Sequence, residues 1–464
     1  MEQQLRVHSK ARRQASATGI ALLLLLLSLL QSCRQNPESE AVNPGGQSAD
    51  KLTNEVALKW SAMQLRLVRQ SAGFSPPVAS RALGFAGITM YEAAVPGISD
   101  RRSLAGQLQG LSTLPQIEAG KSYNWNLSVN AAEAAILRSL HANASAAAKT
   151  AVDSLESALF ARFKSASQEE NDRSTDFGKR VADAIFAWSK TDGGHEGYTR
   201  NFPADYSLPV GNGFWRPTEN GQKIPMQPYW GRNRLFVGAS STMPVPEPLP
   251  ISTSPTSQYY AQYLEVYTKN MTLTQTEKEI SIWWADDPSE TFTPPGHSYN
   301  LARIAVKTSN ANLSRSVEAF ARVGMAVADA FVHCWKCKYA FMNERPYTFV
   351  RRAIDPSWVP FWPAPPFPGY TSGHATQSAA AATVLTGLFG DDFAFTDDSH
   401  VSRVRDTKRN TDFKARSFKS FWESAEESAF SRFLGGIHTR QDNETGLREG
   451  RTLGRNINTL NWTK

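Results

Sequence analysis

A chain of 464 residues, 41% hydrophobic and 20% charged, carries enough apolar material for a substantial buried core in one to three domains. Its net charge is +7, of which +3 sits in residues 1–32, where Arg6, Lys10, Arg12 and Arg13 outweigh Glu2. The remaining charges are dispersed, which excludes a polybasic nucleic-acid tract and suits a small anionic ligand.

Basic residues up to Arg13 precede an apolar run from Ile20 to Leu30 and then Gln31-Ser32-Cys33. That run is too short to span a bilayer and reads as the core of a signal segment. The ending Leu30-Gln31-Ser32-Cys33 resembles a bacterial lipoprotein signal, with Cys33 as the lipidated first residue; an ordinary secretory signal is the alternative. Both imply export. Residues 1–32 are therefore assigned to a signal peptide, 33–50 to a flexible tether and 51–464 to one body.

Three-to-four spacing of apolar residues predicts helices at Val56–Val68, Ser80–Ala94, Ser128–His141, Ala146–Phe163 and Glu169–Thr191. Residues 192–255 lose that periodicity to Gly, Pro and aromatics and are expected to form a long loop crossing the bundle. Helices resume at Gln258–Lys269 and at Thr274–Trp284, where Thr274 and Glu277 have the spacing of a capping box. Further helices are expected at Tyr299–Lys307, Ser314–Met342, Ala375–Leu388 and Ser420–Leu434, with Asp391–Arg416 as a surface loop. Period-two alternation is scarce. The expected fold is all-α, with an N-terminal helical half (51–255) and an active-site half (256–464) built around a four-helix-bundle core.

Cys334 and Cys337 form a lone CxxC inside the predicted Ser314–Met342 helix. Two buried helical cysteines are favoured over a metal or redox pair, with a local disulfide as the alternative.

Three clusters carry chemistry. Lys338 and Arg345-Pro346 close the long helix; if it persisted to Glu344, both cations would share one face and could grip a tetrahedral oxyanion as point charge and bidentate fork. Ser372-Gly373-His374, inside Pro365–Gln377 (PPFPGYTSGHATQ), offers a hydroxyl, a free N–H at a helix start and a titratable imidazole. Ser431-Arg432, His438 and Asp442 add a cation, a nucleophilic or ligating histidine and a carboxylate to orient it. Each cluster alone is an ordinary helix end or cap, but their ordered conjunction is not.

That conjunction, Lys-x6-Arg-Pro, then Ser-Gly-His, then Ser-Arg-x5-His-x3-Asp, resembles the signature of the type 2 phosphatidic acid phosphatase and vanadium haloperoxidase superfamily. Thr371 stands where the family usually has proline. PPFPGYTSGHA with its Phe367, Trp335 three residues before Lys338, and Trp284-Ala285-Asp286-Asp287 followed by Thr293-Pro294-Pro295 are similar to the vanadium-dependent haloperoxidase branch. The resemblance implies vanadate as cofactor, with phosphate able to compete for the site. It implies that His438 ligates vanadium while Lys338, Arg345, Ser372, Gly373 and Arg432 neutralise the oxygens. His374 would take a proton from hydrogen peroxide, which Lys338 polarises, and Asp442 would orient His438. Asp286 or Asp287 would pair with Arg432. Trp335 and Phe367 would line the halide approach, ordinary core aromatics being the alternative.

The implied reaction oxidises halide with hydrogen peroxide to a hypohalous acid equivalent that reacts with a small organic acceptor. Two other readings compete. One is a soluble exported acid phosphatase in which His438 attacks phosphorus; the other is a non-catalytic surface lipoprotein that keeps the fold. The remaining histidines, His141, His195, His297, His333 and His400, read as structural or surface residues. No nucleic-acid partner is expected, the membrane is reached only through Cys33, and the oligomeric state is open, a homodimer included.

Overall fold

The computed structural model describes residues 47–219 and 221–464, so the predicted signal segment, Cys33 and residues 33–46 of the tether lie outside the described residues. Residues 47–50 already belong to the folded body: Ser48 caps a 3-10 turn, Ala49–Lys51, and Ala49 is fully buried.

The body is all-α apart from one antiparallel pair of short strands. In chain order its longer helices are α1 (Glu55–Gln70), α2 (Pro76–Ala94), α3 (Trp125–Leu140), α4 (Ala146–Phe163), α5 (Gln168–Ser189), α6 (Gln258–Asn270), α7 (Gln275–Trp283), α8 (Thr293–Thr308) and α9 (Leu313–Phe341). They continue with α10 (Pro346–Ala353), α11 (Gly373–Phe389), α12 (Phe421–Leu434) and α13 (Arg440–Asn458). The strands β1 (Phe395–Asp397) and β2 (Arg416–Phe418) pair with Phe395 opposite Phe418.

Two helices start a full turn or more before their apolar pattern suggests, and for one reason. The predicted starts at Ser80 and Tyr299 are corrected to Pro76 and Thr293, because Pro76-Pro77 and Pro294-Pro295 occupy first turns. Proline is tolerated there, since its missing N–H would have no helical partner. The capping box at Thr274 and Glu277 is present at the start of α7. Helix α13 carries no apolar stripe that predicts it. Its inward side is built of Thr445, Gly446, Gly450, Leu453, Gly454 and Ile457, mostly small residues.

Those small residues set how the site is assembled. Helix α9 lies at the centre, packed along α2 on one side and α11 on the other, and α11 in turn packs along α13 and α12. A Cβ on Gly450 would overlap the carbonyl oxygen of Thr376, so α11 and α13 touch backbone to backbone. Four helices thereby converge on one point, each bringing a predicted site residue: Lys338 from α9, Gly373 and His374 from α11, Arg432 from α12 and Asp442 from α13.

The long crossing segment 190–257 is present, broken by 3-10 turns at Gly197–Thr199 and Trp230–Arg232 and one helical turn at Gly238–Ser241. It is bound to α9: the Met226 carbonyl accepts from Trp335 Nε1 (3.2 Å) and Tyr339 Oη (2.6 Å), and Asp329 Oδ1 accepts from Phe236 N (2.7 Å).

The surface-loop expectation for Asp391–Arg416 is corrected in part: most of the segment is exposed, but it is anchored inward at four residues. Phe395, Asp397, His400 and Thr411 are buried, because Asp397 and His400 bond inward to His297 and Asp286. Cys334 and Cys337 are free and buried on α9. Among the described residues no helix is long and apolar enough to cross a membrane.

Candidate active site

Lys338 and Arg345 do not share one helical face. Helix α9 ends at Phe341, Met342 turns left-handed (φ +50°), and Arg345 becomes the N-cap residue of α10. The reversal brings both cations onto the Pro365–Thr371 segment. Lys338 Nζ donates to the carbonyls of Pro368 (2.8 Å), Gly369 (2.8 Å) and Thr371 (2.5 Å). Arg345 Nε donates to Phe367 O (2.9 Å), and Arg345 Nη1 to Ile437 O and His438 Nε2, each at 2.9 Å. The Pro/aromatic run is thus strung between two buried cations, which fixes the path into Ser372-Gly373-His374.

Ser372 caps α11, its Oγ accepting from Ala375 N at 3.4 Å, and its own N–H donates to the Asp442 carbonyl at 2.9 Å. The first turn of a helix presents N–H groups without helical partners, a natural seat for anion oxygens. Ser372 is buried, whereas Gly373 and His374 are half-buried and form the mouth. His374 Nε2 donates to the Trp284 carbonyl at 2.8 Å, which leaves Nδ1 with the lone pair.

Thr371, the departure from the family pattern, is fully buried and follows a cis Tyr370–Thr371 peptide. Its hydroxyl donates to Cys334 Sγ at 3.4 Å while its carbonyl serves Lys338. The polar atom that proline would lack therefore has a partner on α9.

On the opposite wall, Arg432 lies in the last turn of α12 and donates from Nη1 to the same Trp284 carbonyl at 3.1 Å. The expected pairing of Arg432 with Asp286 or Asp287 is corrected in its geometry: neither carboxylate makes an ion-pair contact with Arg432 among the described residues, Asp286 being held by His297 and His400, and both act on it only as nearby opposite charges. Ser431 turns away, its hydroxyl donating to Ser428 O at 2.7 Å within its own helix. After the Gly435-Gly436 turn, with Gly436 at φ +74°, comes His438. Its Nδ1 lies 2.9 Å from Asp442 Oδ2, and that oxygen also accepts from Thr439 N at 3.1 Å in the capping box that opens α13. The ring proton therefore sits on Nδ1 and the Nε2 lone pair faces the cations.

Lys338, Arg345 and Arg432 are 0%, 1% and 2% exposed; the Asp442 carboxylate acts on the first two, and Asp287 and Asp286 act on Arg432. Burial lowers Lys338 to about 8, Arg345 to about 9 and Arg432 to about 10, with Arg345 adding repulsion at Lys338 and Arg432 adding it at Arg345. Burial, then the same cations, hold His438 well below the usual imidazole range. His374 is likewise held low, by burial and by Arg432. Burial raises the Asp442 carboxyl, opposed by Lys338, Thr439 and Arg345.

Two buried guanidinium atoms, Arg345 Nη2 and Arg432 Nε, have no hydrogen-bond partner. Buried donors are normally satisfied and clustered cations repel. A multiply charged oxyanion answers both, so the donor set fits vanadate: N–H groups and cations around its oxygens, and one imidazole lone pair for the metal.

Trp335 is buried in the main core and Phe367 packs against it, both beside Lys338. Their ring centroids are 5.0 Å apart, and Lys338 Nζ lies 5.7 Å from the Trp335 centroid and 5.2 Å from that of Phe367. The Trp284 carbonyl and the buried residues His297, His400 and Asp397 behind it were not singled out for the site. The WWADD-to-TPPGH stretch carried the available signal, but Asp397 and His400 lie about a hundred residues on with no motif of their own.

Residues 318–462 match the family profile described as the VCPO second helical-bundle domain. The vanadium chloroperoxidase of Curvularia inaequalis is 29% identical over 214 residues, an alignment covering 35% of this chain and 35% of that relative's length. A solved structure described as the first bacterial vanadium-dependent iodoperoxidase is 32% identical with a TM-score of 0.77, covering 89% of this chain and 98% of that one. The holo form of a bacterial vanadium-dependent chloroperoxidase, at 16% identity and a TM-score of 0.62, covers 83% of this chain and 92% of that one and speaks for the fold alone. The chain belongs to the vanadium-dependent haloperoxidase family.

Proposed function

We propose that this protein is a vanadate-dependent haloperoxidase that oxidises halide with hydrogen peroxide to a hypohalous acid equivalent. The observation that carries the reading is the convergence of three buried cations, two of them with unpartnered N–H groups, on the lone pair of His438. His438 Nε2 would ligate the metal, Arg345, Arg432, Ser372 Oγ and the Gly373 N–H would hold the oxygens, and Lys338, its three N–H groups given to carbonyls, would add positive charge beside them. When bound, vanadate supplies the Lewis-acidic centre at which peroxide becomes electrophilic toward halide.

The chain's own residues do the rest. Asp442 keeps the proton on His438 Nδ1, so Nε2 carries the lone pair, which accepts from Arg345 Nη1 and which a metal would take over from it. His374 Nε2 is occupied by Trp284 O, so Nδ1 is the atom that accepts a proton from the incoming peroxide. Lys338, already anchored on three carbonyls, places a fixed positive charge beside the reacting oxygen. Trp335 and Phe367 form a water-excluding wall along which halide approaches. The solved structure 32% identical to this chain is called an iodoperoxidase, which makes iodide the first halide to test. Phosphate, with the same tetrahedral charge, competes for the cage. Export and lipidation at Cys33 complete the proposal, with a lipid anchor in the bacterial envelope; Cys33→Ser should move the protein from the membrane fraction to the soluble one.

Purified protein loaded with orthovanadate should oxidise iodide, and bromide as followed on a phenolic dye, whereas the apo form given p-nitrophenyl phosphate should release little phosphate. Absent halide oxidation together with robust phosphate release would assign the site instead to phosphoryl transfer through His438.

A further inference from the structure

The Trp284 carbonyl is where the two sides of the cage meet, since it accepts from both Arg432 Nη1 (3.1 Å) and His374 Nε2 (2.8 Å). What holds that carbonyl is a buried network behind it. Trp284 follows the end of α7, and two residues on, Asp286 adopts a left-handed backbone (φ +52°). Such a backbone is uncommon for a residue with a side chain and persists where its surroundings hold it. Asp286 is held at both oxygens, Oδ2 by His297 Nδ1 (2.7 Å) and Oδ1 by His400 Nε2 (2.8 Å).

The second nitrogen of His297, Nε2, lies 2.8 Å from Asp397 Oδ2. Asp397 is itself fixed by Trp283 Nε1 (2.8 Å) and Ser399 N (3.0 Å). The His297 ring also stacks on the Trp284 ring, with centroids 4.5 Å apart and planes 24° from parallel. The Trp284 indole N–H donates to Glu427 (2.9 Å), one turn before Arg432 on α12.

Each ring nitrogen of His297 faces a carboxylate, which accepts only, so both nitrogens carry protons. Burial opposes that charge, but Asp286 and then Asp397 raise His297 to about 10. The groups facing the ring are Asp286 from the turn after α7, Asp397 from β1, His400 beyond it, and the rings of Trp283, Trp284 and Phe292. Asp286, His297 and His400 lie close enough to resemble a metal triad. The candidate ligand atoms are instead paired with one another, and both His297 nitrogens are committed to carboxylates.

We propose that the Asp286–His297–Asp397 relay, together with His400, is a positioning device for the anion cage. It locks the Trp284–Asp286 turn so that one carbonyl aims Arg432 and His374 at the ligand. His297 is thus a positioning residue that touches neither ligand nor substrate, and the proposal rests on reading the cage as a vanadate site.

The test titrates apo protein with orthovanadate by calorimetry for wild type, Asp397→Asn, His297→Gln and a control, Glu92→Gln. Glu92 is a buried carboxylate remote from the cage that accepts from Leu104 N (2.6 Å) and Ser103 Oγ (2.7 Å), so its loss lowers Tm without touching the relay. Expected is a Kd weakened by roughly 10- to 100-fold in the two relay variants and unchanged in the control. Relay variants that fold and bind as tightly as wild type overturn the proposal. Should neither fold, wild-type protein labelled with 15N-histidine decides: a ring still protonated at both nitrogens at pH 9 supports the relay, and its absence overturns it. A stoichiometric divalent metal in the purified protein whose removal by chelator weakens vanadate binding also overturns it. Wild type and control both failing to bind vanadate would sink the cage reading itself, a pattern distinct from any failure of the relay.

Discussion

His438 Nδ1 and Asp442 Oδ2 are 2.9 Å apart, and the same oxygen accepts from the backbone N–H of Thr439. One carboxylate thereby closes the capping box that starts α13 and fixes the tautomer of the histidine just ahead of that helix. Asp442→Asn keeps the volume but offers an amide that can place the imidazole proton on Nε2, toward Arg345. Orthovanadate affinity should fall roughly 10- to 100-fold, while the weakened cap costs only about 1 kcal/mol of stability. Calorimetric Kd and thermal Tm, measured side by side, check the split; a variant that loses stability and keeps its Kd would show that Asp442 is a cap alone.

Anion affinity should depend on pH through Lys338. Burial and Arg345 lower its pKa to about 8 in the folded apo protein, so the cation is fully present below that pH and is lost above it. A bound anion favours the charged form, so wild-type affinity gains a Lys338-dependent fall as pH rises through about 8. The apo fold moves in the opposite sense: between the folded value and the ordinary lysine value the unfolded chain binds more protons, so stability from this group rises with pH across that window. Orthovanadate titrations from pH 6.5 to 9.5 on wild type and Lys338→Arg test this, because arginine starts from a higher pKa than lysine and should move the alkaline fall upward, toward the range in which Arg345 itself titrates.

His374→Ala should separate binding from turnover. The residue sits at the half-buried mouth with Nδ1 as its proton acceptor, and the cations that hold the anion lie deeper. Halide oxidation should drop by about 10²- to 10⁴-fold, the usual worth of a general acid–base group, with orthovanadate Kd changed far less. Equal losses in both would place His374 among the anion-holding residues.

Gly450→Val tests the helix contact beneath the cage. Any side chain there meets the Thr376 carbonyl on α11, one turn beyond Ser372. Overpacking of this kind costs about 1–3 kcal/mol or more, and α11 must shift, so both Tm and vanadate affinity should fall. A variant with wild-type Tm would mean that the two helices have slack.

The cage was legible in the sequence because its donors are chemically distinctive and their spacings are fixed by helix ends: Lys338 and Arg345 around one reversal, Ser372 to His374 at one cap, Arg432 and His438 across another. The all-α class followed from three-to-four periodicity. Helix α13 escaped because Gly446, Gly450 and Gly454 make its inner side small instead of apolar, a feature that spacing of hydrophobic residues does not register. The shared face imagined for Lys338 and Arg345 failed at Met342, whose left-handed turn nothing in its identity announces. The relay escaped for a different reason: Asp397 and His400 reach the Asp286–His297 pair only through tertiary contacts, from about a hundred positions further along the chain.

The most direct measurement is anomalous diffraction at the vanadium absorption edge from crystals soaked in orthovanadate. A vanadium peak within bonding distance of His438 Nε2, surrounded by Lys338, Arg345 and Arg432 and lost in His438→Ala, is the predicted result. Vanadium bound elsewhere, or no peak at a concentration that supports halide oxidation, would contradict the assignment of the cage.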